Sequence, residues 1–135
     1  MLSDLLKSLL RVPFQARRTR RASELFEAGL AQKDSRDYDN ARRSFEESLA
    51  LDPERADAHL WLGVMLTKEQ SYPAAVHHFE RALALKPDIE DGWIDLGTAH
   101  YLQRNLAGAG ASFRAAVAAD PTSPLAHANL GIVLK

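Results

Sequence analysis

Residues Leu49–Gly63 read LALDPERADAHLWLG, and residues Leu83–Gly97 read LALKPDIEDGWIDLG, nearly the same phrase at an offset of 34 residues. A period of this length is the mark of an array, in which one supersecondary unit recurs because it cannot bury its apolar face alone. Rows of 34 drawn from Ala22 give three complete units, 22–55, 56–89 and 90–123, and a remnant, 124–135. The rows agree column by column. One column holds Gly29, Gly63, Gly97 and Gly131, and the one before it Ala28, Leu62, Leu96 and Leu130. Later columns hold Ala41, Ala75 and Ala109, then Phe45, Phe79 and Phe113, then Pro53, Pro87 and Pro121.

The spacing within a row predicts two helices. Trp93, Leu96, Gly97 and His100 lie three, one and three residues apart, which puts them on one helical face. Ala109, Phe113, Ala116 and Val117 mark a second such face. A glycine opposite an alanine lets the two helices approach closely, and the phenylalanine fills the space between them. Proline at 53, 87 and 121 cannot continue a helix and biases the residue before it toward extended geometry, so each second helix ends there. Pro73 is expected in the first turn of a second helix, where its missing N–H is harmless. The small residues of Ala107–Ser112, AGAGAS, fall at the start of another second helix and are expected to serve tight packing rather than to cradle a phosphate.

These residues resemble the tetratricopeptide repeat family, whose period is 34 and whose pattern runs Trp, Leu-Gly, Tyr, Ala, Phe, Pro. Trp93, Leu96, Gly97, Ala109, Phe113 and Pro121 match it, with His100 in the Tyr place. Row two keeps Leu62, Gly63, Ala75, Phe79 and Pro87, with His59 for Trp and Leu66 for Tyr; row one has Leu25, Ala28 and Gln32 at the Trp, Leu and Tyr places. The resemblance implies an all-α, right-handed α-solenoid of helix-turn-helix hairpins: three repeat units plus one extra helix.

It also implies a concave wall built by the first helix of each hairpin, able to receive a partner peptide. Carried onto this chain, that wall is Ser23, Phe26, Leu30 and Lys33, then Asp57, Leu60, Val64 and Thr67, then Asp91, Ile94, Thr98 and Tyr101, with Asp95 at its edge. The remnant adds Leu125, Ala128 and Ile132. An apolar floor edged by acids points to a peptide with an apolar anchor flanked by Lys or Arg. Some of these apolar side chains are alternatively expected to pack against the next hairpin. The chaperone-binding members of the family hold a carboxylate with cationic residues; the matching places here are Phe26, Asp91 and Asp95, which oppose such a ligand. Asn129 alone stands in the column that forms an asparagine ladder in glycosyltransferase arrays, beside Glu27, Trp61 and Asp95.

No catalytic residue, metal ligand or cofactor motif is found. His59, His100 and His127 sit in packing columns, and His77 and His78 are adjacent, on different helix faces. The pairs Glu46–Glu47 and Glu90–Asp91 read as solvated helix faces, since a perturbed carboxylate needs burial or a close charge. The expectation is a non-enzymatic protein-binding scaffold. The alternatives are the substrate-recruiting part of a larger, glycosyltransferase-like enzyme or a membrane-surface adaptor.

Charge is distributed unevenly. Residues 1–21 carry Lys7, Arg11, Arg17, Arg18, Arg20 and Arg21 against Asp4, while the rest is acidic, for a net charge of −1. Leu2, Leu5, Leu6, Leu9 and Leu10 form an amphipathic stripe ahead of a proline break at Pro13. This segment is expected to cap the array, to lie on an anionic membrane, to act as a mitochondrial leader, or to fold onto the acidic groove. Nucleic acid is disfavoured, because only Phe14 is interleaved with the arginines. The chain has no cysteine, which fits a reducing, cytoplasmic setting. The remnant ends in Gly-Ile-Val-Leu with no second helix over it, so the expectation is either that the chain is a piece of a longer array or that the C-terminal helix pairs with another copy in self-association.

Overall fold

A computed structural model describes the backbone of residues 2–89 and 91–135; the side chains of residues 2 and 9–13 are outside the description. Glu90, Leu2, Leu9 and Leu10, singled out above, therefore lie outside the described residues, Glu90 wholly and the leucines in their side chains. Among the described residues there are seven helices: α1 Leu2–Asp34, α2 Tyr38–Leu51, α3 Ala56–Lys68, α4 Tyr72–Leu85, α5 Gly92–Leu102, α6 Leu106–Ala119 and α7 Pro124–Leu134. They form two compact units, Met1–Glu54 and Arg55–Lys135.

In the first unit α1 packs against α2. Phe45 is fully buried, its ring 5.7 Å from that of Phe26, and the buried Ser48 hydroxyl donates to the Ala22 carbonyl at 2.6 Å. The expected break at Pro13 is corrected: α1 is one helix across it, so the N-terminal stripe and the first helix of row one are a single element. Proline removes one backbone donor and crowds the preceding turn, which bends or weakens a helix without always ending it. Leu5, Leu6 and Phe14 are exposed. What ties this part of α1 down is Arg18, whose guanidinium donates to the carbonyls of Leu51 at 2.7 Å and Ala50 at 3.2 Å. A cation there satisfies the orphan carbonyls at the end of α2.

In the second unit the hairpins stack in series, α3 on α4, α4 on α5, α5 on α6 and α6 on α7, the arrangement of an α-solenoid. Leu60, Ala75, Phe79, Ala82, Leu83, Leu96 and Ala99 form its core. The glycine column meets its phenylalanine as expected: a Cβ on Gly63 would stand 2.6 Å from the Phe79 ring.

The turns repeat as faithfully as the cores. Arg36, Gln70 and Arg104, spaced by 34, all have left-handed backbones with φ of 62°, 64° and 63°. At each, two N–H groups close back on the helix: Gln70 N donates to Thr67 O at 3.0 Å and Ser71 N to Leu66 O at 2.9 Å, the usual way a helix C-terminus satisfies its last carbonyls. At the far end of each hairpin Asp52, Lys86 and Asp120, the residues preceding proline, are extended, with φ near −140°. Pro73 lies in the first turn of α4. No helix among the described residues is long and apolar enough to cross a membrane.

Candidate binding cleft

The first helices of the second unit leave an open cleft of about 660 Å³ between α3 and α5. From α3 it is lined by Ala56, Asp57, Leu60, Trp61 and Val64, from α5 and its N-cap by Asp95 and Asp91, and from the connecting turn by Lys86 and Ile89. Five of the residues expected on the concave wall, Asp57, Leu60, Val64, Asp91 and Asp95, are thus brought together. Ile94 instead lines a second, smaller hollow of about 260 Å³ with Trp93 and Ala126. Thr98 turns its hydroxyl back onto the Ile94 carbonyl at 2.9 Å, and Thr67 does the same to Gly63 at 2.8 Å. Tyr101 is exposed at the far end of α5 and lines neither hollow.

The expected apolar floor needs correction at two places. Leu60 is 8% exposed and Phe26 6%, so both act mainly as packing side chains. Leu60 belongs to the core between α4 and α5, and Phe26 is held against Phe45 in the first unit. Leu30, also in that unit, is half-buried, and the Lys33 ammonium lies 2.9 Å from the Asp34 carboxylate. The apolar surface that the cleft keeps comes from Val64, Trp61 and Ile89, all half-buried. Ile89 and Lys86 were not assigned to the wall from sequence, and Trp61 entered only as a column-mate of Asp95 and Asn129. Their repeat columns belong to a helix flank and a turn, and only stacking folds these onto the cleft.

The acids differ in kind. Asp57 is engaged by Arg55, whose Nε and Nη2 reach its two carboxylate oxygens at 3.1 and 3.0 Å, and it also accepts from the Ala58 N–H at 2.8 Å. Asp91 is exposed and caps α5 from a left-handed backbone with φ of 59°. That conformation is tolerated by aspartate, and it sets Asp91 one helical turn before Asp95. Burial, and after it the Asp91 carboxylate, push Asp95 from 3.8 up to about 7. The cleft therefore holds a carboxyl whose charge is undecided near neutrality. A cation entering beside it would settle it as carboxylate.

Of the histidines, His59 is buried, His78 and His100 are half-buried, and His77 and His127 are exposed, with one arrangement that adjacency alone does not reveal. His78 turns its Nδ1 to within 3.1 Å of Nδ1 of the buried His59, with the rings stacked at 5.3 Å. Burial first, then His59 and His77, lower His78 to about 4, so the His78 ring is neutral near pH 7. His127 occupies the column of Trp93 and its role: its Nε2–H donates to the Pro121 carbonyl at 2.8 Å, as the Trp93 indole donates to Pro87 at 3.2 Å.

The sequence matches the family model of the tetratricopeptide repeat over residues 26–88 and again over 68–124. A comparison with curated proteins finds no match. Among solved structures, the Arabidopsis OM64 TPR domain superposes with a TM-score of 0.82 at 16% identity, covering 86% of this chain and 96% of that one. The second TPR domain of human RPAP3, in complex with the HSP70 peptide SGPTIEEVD, gives 0.79 at 18% identity over 90% of this chain and 98% of that one. The TPR2B domain of yeast Sti1, in its Hsp70 complex, gives 0.81 at 21% identity, over 85% and 97%. At these identities the likeness is one of fold.

Proposed function

The chain belongs to the tetratricopeptide repeat family, and we propose that it is a non-enzymatic scaffold whose α3–α5 cleft binds a partner peptide carrying an apolar residue beside a lysine or arginine. The observation that carries this reading is the pairing, in one cleft, of the half-buried Trp61, Val64 and Ile89 with Asp91 and Asp95. An apolar side chain gains by covering the first set, and a cation by approaching the second. Trp61 also offers an aromatic face to such a cation.

The peptides named for the human RPAP3 and yeast Sti1 structures come from HSP70, and the RPAP3 one ends in Glu-Glu-Val-Asp. That sequence would bring carboxylates to Asp57, Asp91 and Asp95 here, with Lys86 alone as a compensating cation lining the cleft. Like charges at this distance oppose binding, so the fold is shared while the ligand chemistry is reversed.

A peptide array scored by fluorescence anisotropy tests the reading. Peptides pairing Leu, Ile or Phe with Lys or Arg two to four residues away should bind, and Asp91→Asn with Asp95→Asn should weaken them about tenfold or more. Recovery of acidic peptides alone, or affinity indifferent to both substitutions, would overturn it.

A further inference from the structure

Helix α1 is far longer than its partner. At 1.5 Å per residue its 33 residues span about 50 Å, and the 14 residues of α2 span about 21 Å. The two run antiparallel, Phe26 against Phe45, Ala22 against Ser48, and Arg18 on the carbonyl of Leu51, the last residue of α2. Residues 2–17, about 24 Å of helix, therefore project past the end of α2. Every described side chain from residue 3 to residue 21 is exposed, with Leu5 at 62%, Leu6 at 53% and Phe14 at 65%.

Repeat packing does not account for this exposure. Helices α2 to α7 are 11 to 14 residues long, and the repeat columns of row one begin at Ala22. A hairpin stacked on α1 in the manner of the array would cover residues 22–34 and leave the projection bare. A helix takes most of its stability from packing an apolar face, so a projection that shows leucine and phenylalanine to water needs a surface of its own. Charge says which kind. Residues 1–21 hold six bases against one acid. Arg17 stands about three turns beyond Leu6 on the same side of the helix, and Arg20 falls between the lines of Leu5 and Leu6. One face thus carries apolar side chains at its far end and cations at its base.

We propose that the projection of α1 docks on an anionic lipid bilayer, with Leu5 and Leu6 in the acyl boundary and Arg17 and Arg20 on headgroup phosphates. Such a surface supplies both partners at once, apolar beneath and anionic at the rim. A second copy of this chain is the poorer occupant, because it would set one basic segment against another. The site is separate from the α3–α5 cleft and does not depend on what that cleft binds.

Vesicle flotation of the 135-residue chain tests the proposal. The chain should float with phosphatidylcholine vesicles containing roughly 30% phosphatidylserine, should bind pure phosphatidylcholine about tenfold less or worse, and should be released by about 0.5 M salt. Leu5→Glu with Leu6→Glu, and separately Arg17→Glu with Arg20→Glu, should each lower the partition constant about tenfold or more. Neither pair should move the melting temperature, since all four side chains are exposed. A chain that does not float, or flotation indifferent to phosphatidylserine or to either pair, would overturn the proposal. So would a lipid-free dimer that Leu5→Glu with Leu6→Glu abolishes, which gives the face to a second copy, or flotation gained only with Asp91→Asn and Asp95→Asn, which gives the arginines to the acidic cleft.

Discussion

Replacing Gly63 and Gly131 by alanine makes the same chemical change at the same repeat position, and the two should shift stability in opposite directions. A helix interior favours alanine over glycine by about 1 kcal/mol, and that gain is common to both sites. At Gly63 the new methyl would lie 2.6, 2.7 and 2.9 Å from three atoms of the Phe79 ring. Phe79 is 1% exposed and locked among Ala75, Ala82 and Leu83, so the ring has nowhere to retreat. Overpacking of this kind costs about 1–3 kcal/mol, and three contacts with a rigid ring belong at the upper end. Gly63→Ala should therefore lose about 2 kcal/mol net, while Gly131→Ala, meeting nothing, should gain up to about 1 kcal/mol. Urea titrations followed by circular dichroism measure both. The mechanism is isolated by a double-mutant cycle with Phe79→Leu, which narrows the ring's footprint: the cost of Gly63→Ala should fall by about 1 kcal/mol or more in that background. A Gly63→Ala protein as stable as wild type, or strict additivity with Phe79→Leu, would refute the account of the glycine column.

The cleft carboxyl gives a pH signature. Asp95 keeps its proton up to about 7 in the folded chain but releases it at 3.8 when unfolded, so its contribution to stability is present below 3.8 and is lost as pH rises through 7. Asp95→Asn should thus stabilise the protein by up to about 4 kcal/mol at pH 8 and by little at pH 4, read from melts at both, with Asp57, Lys86 and Asp91 left in place. His78 works in the opposite sense: lowered from 6.5 to about 4, it costs stability as pH falls from 6.5 through 4, by about 1 kcal/mol once its exposure to solvent is allowed for. His78→Gln should flatten that acid limb while keeping a hydrogen-bonding group against His59. Finally, Gln70→Gly should raise stability by about 0.5–1 kcal/mol, because glycine accepts the left-handed turn without the Cβ penalty. A neutral or negative shift in melting temperature would count against that strain.

What could be read ahead of the structure divides along a physical line. Contacts made inside one hairpin are encoded at fixed spacing, so Gly63 with Phe79, the proline stops and the start of α4 at Pro73 were all legible. The turns were not, because Arg36, Gln70 and Arg104 hold a left-handed conformation for which glycine is the usual signal. Nor was the anchoring of α1, since an arginine in a basic run gives no hint that it caps a helix 32 residues on. Contacts between hairpins were legible only as a helix face and not as burial. Phe26, Leu60, Ile94 and Ala128 occupy one column, yet Phe26 and Leu60 are buried, Ile94 is half-buried and Ala128 is exposed. The column fixes the direction in which a side chain leaves its helix, and the neighbouring hairpin decides what it meets. Leu60 meets the core between α4 and α5; Ala128, on the last helix, has no described hairpin beyond it. The binding residues inherit the same rule. Asp91 and Asp95 share a cleft with Trp61 and Lys86 because α5 stacks against α3, and the charge that distinguishes this cleft from an acid-binding one comes from positions that the repeat pattern leaves unspecified. The fold therefore rests on the columns that agree, and the choice of ligand on those that do not.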